Sequence, residues 1–336
     1  MDIGQLIFNV ALLFIMAVPG FILKKADLVP DGFGKGLSNL VLFIAQPTLI
    51  IYSYLDCTVP FAQIWFNIVL VFSFSIFAHL LFFGASMLFF RRADEGRRRM
   101  LRFATIFSNA AFMGIPLIEA LFGAEATIYA SIYNITFNLF LWTLGVHLCV
   151  HERMDRDGDG DVDIHDDIIA IKKRASEISW IKVLLHPITI ASALGVTLLV
   201  AGVNNATVNL GVIERSIFML KGLVAPLSMV VIGLRLAEMS FRGLLKDYHM
   251  YIFLALRHLA LPLIVLGAIK LVSLAVEIPE LVTVVTLVLT STPAATSATM
   301  FAEKYDCDAV YTSRLVAIST ILSIATMPLV VSIALL

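Results

Sequence analysis

Two short stretches of this sequence carry most of its chemistry. The first reads TIFSNAAFMGIPLIEALFG, with Asn109, Gly114 and Pro116 close together in apolar surroundings. The second reads LVLTSTPAATSATMF, where Thr290, Ser291, Thr292, Thr296, Ser297 and Thr299 crowd about Pro293. Proline removes a backbone donor and clashes with the preceding turn. Small hydroxyl residues can satisfy the carbonyls it frees. Both stretches are therefore expected to form interrupted helices. Amides exposed at the half-helix starts favour an anion. Asn109 adds a carboxamide that costs free energy to bury unless it is bonded. The plainer alternative is that the prolines and glycine mark kinks or close packing, and that Asn109 bonds a neighbouring helix.

Few other ionisable groups lie in apolar sequence. Arg257 must pair, face water or snorkel to a surface. It could attract an anion or bond carbonyls at the break near Pro293. His79 and His258 titrate near neutrality and could relay a proton, although packing explains them as well. Acidic residues stand only at the margins, as Glu119, Glu125 and Glu238 do. The intramembrane carboxylate of a proton pump is thus missing. No HExxH, paired aspartates or Ser/His dyad marks an enzyme. Cys57, Cys149 and Cys307 are far apart and odd in number, which suits neither a disulfide framework nor a CxxC metal pair.

A third motif is DRDGDGDVDIHD at 155–166. Asp155, Asp157, Asp159 and Asp161 alternate around Gly160, with Asp166 at the twelfth position of a calcium-type loop. This spacing fits a hard cation. The aspartate in place of glutamate, the absence of a partner loop and a cytoplasmic setting low in free calcium fit a solvated linker better.

The elements that must position these residues follow from composition. The 336 residues are 60% hydrophobic and 15% charged, against about 45–50% and about 25% in soluble domains. Lipid is the main solvent, and a soluble enzyme is excluded. Ten apolar runs are long enough to cross a bilayer, near 3–23, 36–55, 63–90, 101–121, 126–149, 181–202, 211–234, 247–270, 278–300 and 309–335. The first has no basic residue before it and runs into Pro19 and Gly20, so it reads as a helix that stays. Links after odd-numbered runs hold 20 of the 24 Lys and Arg residues. These links are expected to be cytoplasmic, with both termini outside the cell membrane. A net charge of -1 gives no attraction to nucleic acid.

Two halves are visible within the chain. AQPTLI with Pro47 answers APLSMV with Pro226, and His79 answers His258, each at an offset of 179 residues. Five spans per half is an odd number, so the halves insert with opposite polarity. The expected fold is all-α and polytopic, with ten transmembrane helices in a 5+5 inverted repeat. The first repeat covers 1–149, the charged cytoplasmic loop 150–180 and the second repeat 181–336. The interrupted helices fall fourth in each half, a pointer to a midplane binding site.

FSNAAFMGIPLIEALFG with IYNITFNLFLWTLG resembles the fourth and fifth helices of the auxin efflux carrier family, which includes malate-permease-like proteins. LSNLVLFIAQPTLI, LVAPLSMVVIGLRL and LTSTPAATSATMFAEKY are similar to its second, seventh and ninth helices. The resemblance implies that helices 4 and 9 cross at their breaks, elevator-type alternating access and a homodimer in membrane lipid. It places Asn109, Pro116 and Pro293 at the crossover. Where plant-type carriers have an asparagine in helix 9, this chain has Ser291, Thr292, Thr296 and Ser297, which favours a small carboxylate over auxin. The substrate site expected from all this comprises Asn109, Gly114, Pro116, Arg257, Ser291, Thr292, Pro293, Thr296 and Ser297. Two alternatives stand beside an organic-anion carrier without a resident cofactor. One is a sodium- or proton-coupled symporter, the other a membrane sensor with loop 150–180 as its output.

Overall fold

The computed structural model describes residues 3–149, 180–208, 210–238 and 247–335. Asp155, Asp157, Asp159, Asp161 and Asp166, the candidate calcium ligands, lie outside the described residues. Helices account for nearly all the rest. They are α1 (Ile3–Lys25), α2 (Phe33–Asp56), α3 (Phe61–Phe89), α4 (Glu95–Ile106) and α5 (Ala110–Cys149). The second half contains α6 (Trp180–Leu184), α7 (Pro187–Val200), α8 (Val212–Ala237), α9 (Tyr248–Val272), α10 (Glu280–Ser291), α11 (Ser297–Lys304) and α12 (Ala309–Leu335). Among the described residues there is no sheet, only one antiparallel bridge between Ser108 and Ala294.

Seven of these helices are long and apolar enough to cross a membrane, and α7 and α10 are shorter apolar helices. The ten expected runs therefore do not appear as ten separate long helices. The fourth and ninth are interrupted, the ninth about Pro293 and the fourth at Phe107–Asn109, ahead of Pro116. The second part of the fourth runs on into the fifth as α5, broken only at Gly123, whose φ of 72° and ψ of -152° suit a residue without a Cβ. The sixth is divided between the short α6 and α7.

Solvation is reversed relative to a water-soluble protein. Phe8, Ile15, Phe43, Trp65 and Leu80 face outward, while Asn109, Asn134, Asn138, Arg257 and His258 are buried. This is what a lipid surround selects, since polar groups must then find partners inside the protein.

Among the described residues, four helical turns are widened to π geometry: Val41–Ala45, Ala110–Gly114, Leu141–Gly145 and Leu256–Ala260. Three of them stand just before a proline, namely Pro47, Pro116 and Pro262. The proline ring cannot donate to the carbonyl one turn back and clashes with it, and a wider turn relieves both problems.

The helices fall into two groups. In one, α1 packs along α8, and α2 packs against α7 and α8. Gly20 and Gly233 let α1 and α8 meet backbone to backbone: a Cβ on Gly20 would strike the Val230 carbonyl, and one on Gly233 the Ala17 carbonyl. In the other, α3, α4, α5, α9, α10 and α12 pack about the two breaks.

Candidate functional site at the crossing of two broken helices

The α4 helix ends at Ile106, and Phe107 is extended. Asn109 then starts the widened first turn of α5. In the second half, α10 ends at Ser291, Thr292 is extended, and α11 begins at Ser297. The two gaps lie antiparallel. The Asn109 amide donates to the Pro293 carbonyl (2.7 Å), and the Ala295 amide donates to the Phe107 carbonyl (2.9 Å). Each break thus satisfies backbone groups orphaned by the other, which non-helical backbone in a membrane must achieve.

Gly114 makes the crossing close. A Cβ there would come 2.6 Å from Leu289 Cδ2 and 3.3 Å from Thr292 Cγ2. Gln46, beside Pro47 in α2, donates its amide to the Ala111 carbonyl in the widened turn. At the second break, the Ala294 amide donates to Ser319 Oγ (2.9 Å), which is also bonded to His258 Nε2 (2.8 Å). His258 Nδ1 meets Thr326 Oγ1 at 3.0 Å, so this histidine is anchored at both nitrogens. His79 bonds the Ser75 carbonyl (2.8 Å) and stacks on Phe140, which is a packing environment.

Arg257 is fully buried and clasps both breaks. Its Nη1 donates to the Thr105 carbonyl (3.3 Å) and its Nη2 to the Thr292 carbonyl (2.8 Å), while its guanidinium lies over the Phe82 ring. Both acceptors lie at C-terminal ends of half-helices, where the dipole favours a cation. The hydroxyls after Leu289 are engaged locally. Thr290 donates to the Thr286 carbonyl (2.8 Å), Ser291 to Leu287 (2.6 Å) and Thr292 to Leu289 (2.9 Å).

Beside the crossing lies a cavity of about 130 Å³. Of the expected site residues, Asn109, Thr296 and Ser297 line it. Gly114, Pro116, Arg257, Ser291, Thr292 and Pro293 do not; they build the crossing behind it. The cavity wall also includes Asn134 and Asn138 from α5, His186 and Arg235, with Phe112, Phe137, Trp142 and Phe301 as aromatic surfaces. Asn138 Nδ2 is 3.3 Å from His186 Nδ1. By contrast, Ser108 Oγ, Asn109 Nδ2, Asn134 Nδ2, Trp142 Nε1 and Ser297 Oγ have no hydrogen-bond partner among the described residues. A buried donor left unpaired costs about 1–3 kcal/mol. Five such groups, counted among the described residues, line this one cavity. The residues opening α5 and α11 also line it, so two helix starts meet there.

Arg235 stands at the edge, bonded to Glu238 (3.2 Å). With Thr296 it also borders a second cavity of about 230 Å³ that includes Glu238 and Glu303. The two cavities thus share Arg235 and Thr296 in their walls.

Asn134, Asn138, His186 and Arg235 were not singled out by the sequence reasoning. The signal for the first two was available: asparagines four residues apart lie on one face of an apolar helix. Arg235 was legible only as one of the basic residues that set topology.

A multi-pass chain with a polar-lined chamber at the crossing of two broken helices is a membrane transporter in class, rather than an enzyme. Residues 5–331 match the family described as "Membrane transport protein", and the chain belongs to that family. It is also 26% identical over 317 residues, 94% of each chain, to an "Uncharacterized transporter" from Methanothermobacter thermautotrophicus.

Proposed function

We propose that this transport protein carries small organic anions, carboxylates in particular, across the cell membrane. The observation that carries this reading is the donor-rich cavity, where the carboxamides of Asn109 and Asn134 and the hydroxyl of Ser297 lack partners and Arg235 stands at the rim. A carboxylate is acceptor-only and would satisfy such donors. Asn109, Thr296, Ser297 and Arg235 would contact the substrate. Gly114, Pro116, Pro293, Ser291, Thr292 and Arg257 would hold the crossing in shape. The cavity is small, with room for several waters or one compact acid.

A sodium site at the crossing is less well supported. The carbonyls of Phe107, Pro293, Thr105 and Thr292 already accept hydrogen bonds, and Arg257 places a full positive charge among them. A second cation there would meet that charge in a medium of low dielectric.

In this reading the chain crosses the membrane ten times as two inverted repeats, 1–149 and 181–336, joined by a cytoplasmic loop at 150–180. Both termini lie outside. The group of α1, α2, α7 and α8 would be the static scaffold, pairing with a second copy through the first helices of each half. The helices around the crossing would move past it as an elevator. One contact that must then open is Lys221 on α8, which bonds Glu119 of α5 (2.9 Å) and sits over the Tyr52 ring.

Uptake of labelled malate, malonate, succinate, citrate and indole acetate into proteoliposomes tests the substrate class. Sodium gradient, proton gradient and membrane potential would be imposed separately. Saturable uptake of one acid that is lost in Asn109→Ala is expected. Folded, oriented protein that takes up none of the acids would overturn the carboxylate reading.

A further inference from the structure

Away from the crossing, α3, α4 and α5 enclose a niche of about 50 Å³ lined by Met87, Arg98, Arg99, Arg102, His147 and a single carboxylate, Glu95. Among the described residues, three guanidiniums line the niche with one acid, Glu95, which pairs with Arg99, its i+4 neighbour. Arg99 is only 7% exposed, yet its Nη1 has no hydrogen-bond partner. A buried guanidinium with an unused donor is costly unless an anion completes it. The niche also opens at the start of α4, where Asp94 makes no side-chain capping bond. Helix starts favour anions, and arginine forks match the oxygens of a tetrahedral oxyanion.

The neighbouring surface indicates the source of that oxyanion. Met87, Leu88 and Phe89, the last residues of α3, are 39%, 59% and 46% exposed. An apolar face therefore borders the cationic niche directly, as acyl chains border a headgroup. We propose that this niche binds the phosphate of an anionic phospholipid, with its chains lying along the end of α3. Arg98 and Arg99 hold the phosphate, and Glu95 orients Arg99. A lipid held there would brace α3, α4 and α5 at the end of the moving group, so the site concerns regulation by the bilayer rather than the transported substrate.

Native mass spectrometry of the full chain, released from mixed phosphatidylcholine and phosphatidylglycerol nanodiscs, tests this. The wild type is expected to retain phosphatidylglycerol in preference to phosphatidylcholine. Arg98→Gln/Arg99→Gln should weaken that retention roughly thirtyfold, as loss of two juxtamembrane charges predicts. Arg98→Gln alone, at a half-buried position, should weaken it less and tests the same claim if the double variant fails to fold. Arg91→Gln/Arg92→Gln, which removes exposed arginines outside the niche, should retain the lipid as the wild type does. Equal retention of both lipids would overturn the proposal. So would equal losses in the two double variants, or displacement of the lipid by inorganic phosphate, which would assign the niche to a soluble anion.

Discussion

The two breaks do the same topological job with different chemistry. At the first, Asn109 lends its backbone to the crossing and leaves its carboxamide nitrogen unpaired at the cavity. At the second, Thr290, Ser291 and Thr292 turn their hydroxyls back onto carbonyls of α10. The first break has spare donors, and the second has consumed most of its own. Past the gap, Ser297 keeps a buried, unpaired hydroxyl. Density of polar residues in a sequence is therefore a poor guide to which of two related segments meets the ligand. What counts is how many groups remain after the backbone has been satisfied.

Breaking the crossing itself should have the largest effect. Arg257→Gln removes a cation bonded to carbonyls of both segments. With charged hydrogen bonds at about 1.5–3 kcal/mol each, a loss of about 3 kcal/mol or more is expected. It should appear as a large fall in thermal midpoint in detergent, together with abolished transport. Gly114→Ala comes next, because its methyl group meets Leu289 and Thr292 across the crossing. Overpacking of this kind costs about 1–3 kcal/mol, read as a lower midpoint with partial transport.

Asn109→Ala should separate function from stability. It removes a donor that has no partner, so the thermal midpoint should hold or rise slightly. A lost contact to a charged substrate, about 1.5–3 kcal/mol, should raise KM roughly tenfold to a hundredfold. Ser291→Ala should do least, since its hydroxyl serves its own helix. A change of about 0.5 kcal/mol or less in stability and a near-normal KM are expected. A large KM effect from Ser291→Ala would mean that the hydroxyls leave their carbonyls for the substrate, and the contrast between the breaks would fail.

The interruptions were legible in the sequence because proline, glycine and hydroxyl residues cluster at them, whereas Pro19 and Pro328, standing alone, lie inside unbroken helices. Their mutual pairing followed only from a family resemblance, since nothing local in Phe107–Asn109 specifies Pro293–Ala295 as its partner. Arg257 was legible as a buried charge with several outlets; which one it takes depends on where α9 sits against α4 and α10. Gly123 did not declare that α5 would run on from one span into the next. Asn134 and Asn138 were not singled out, although their i,i+4 spacing puts both on one face of α5; the cavity shows the Asn134 carboxamide nitrogen without a partner among the described residues.

The central claim is that unpaired donors at the first break receive a negatively charged guest. Asn109→Asp tests it most directly, because the side chain keeps its shape while its donor becomes a carboxyl group. Labelled carboxylate uptake into proteoliposomes should be lost for every acid that the wild type carries, and more completely than in Asn109→Ala, because like charges now meet in the cavity. Uptake retained at the wild-type level in folded Asn109→Asp protein would contradict the account.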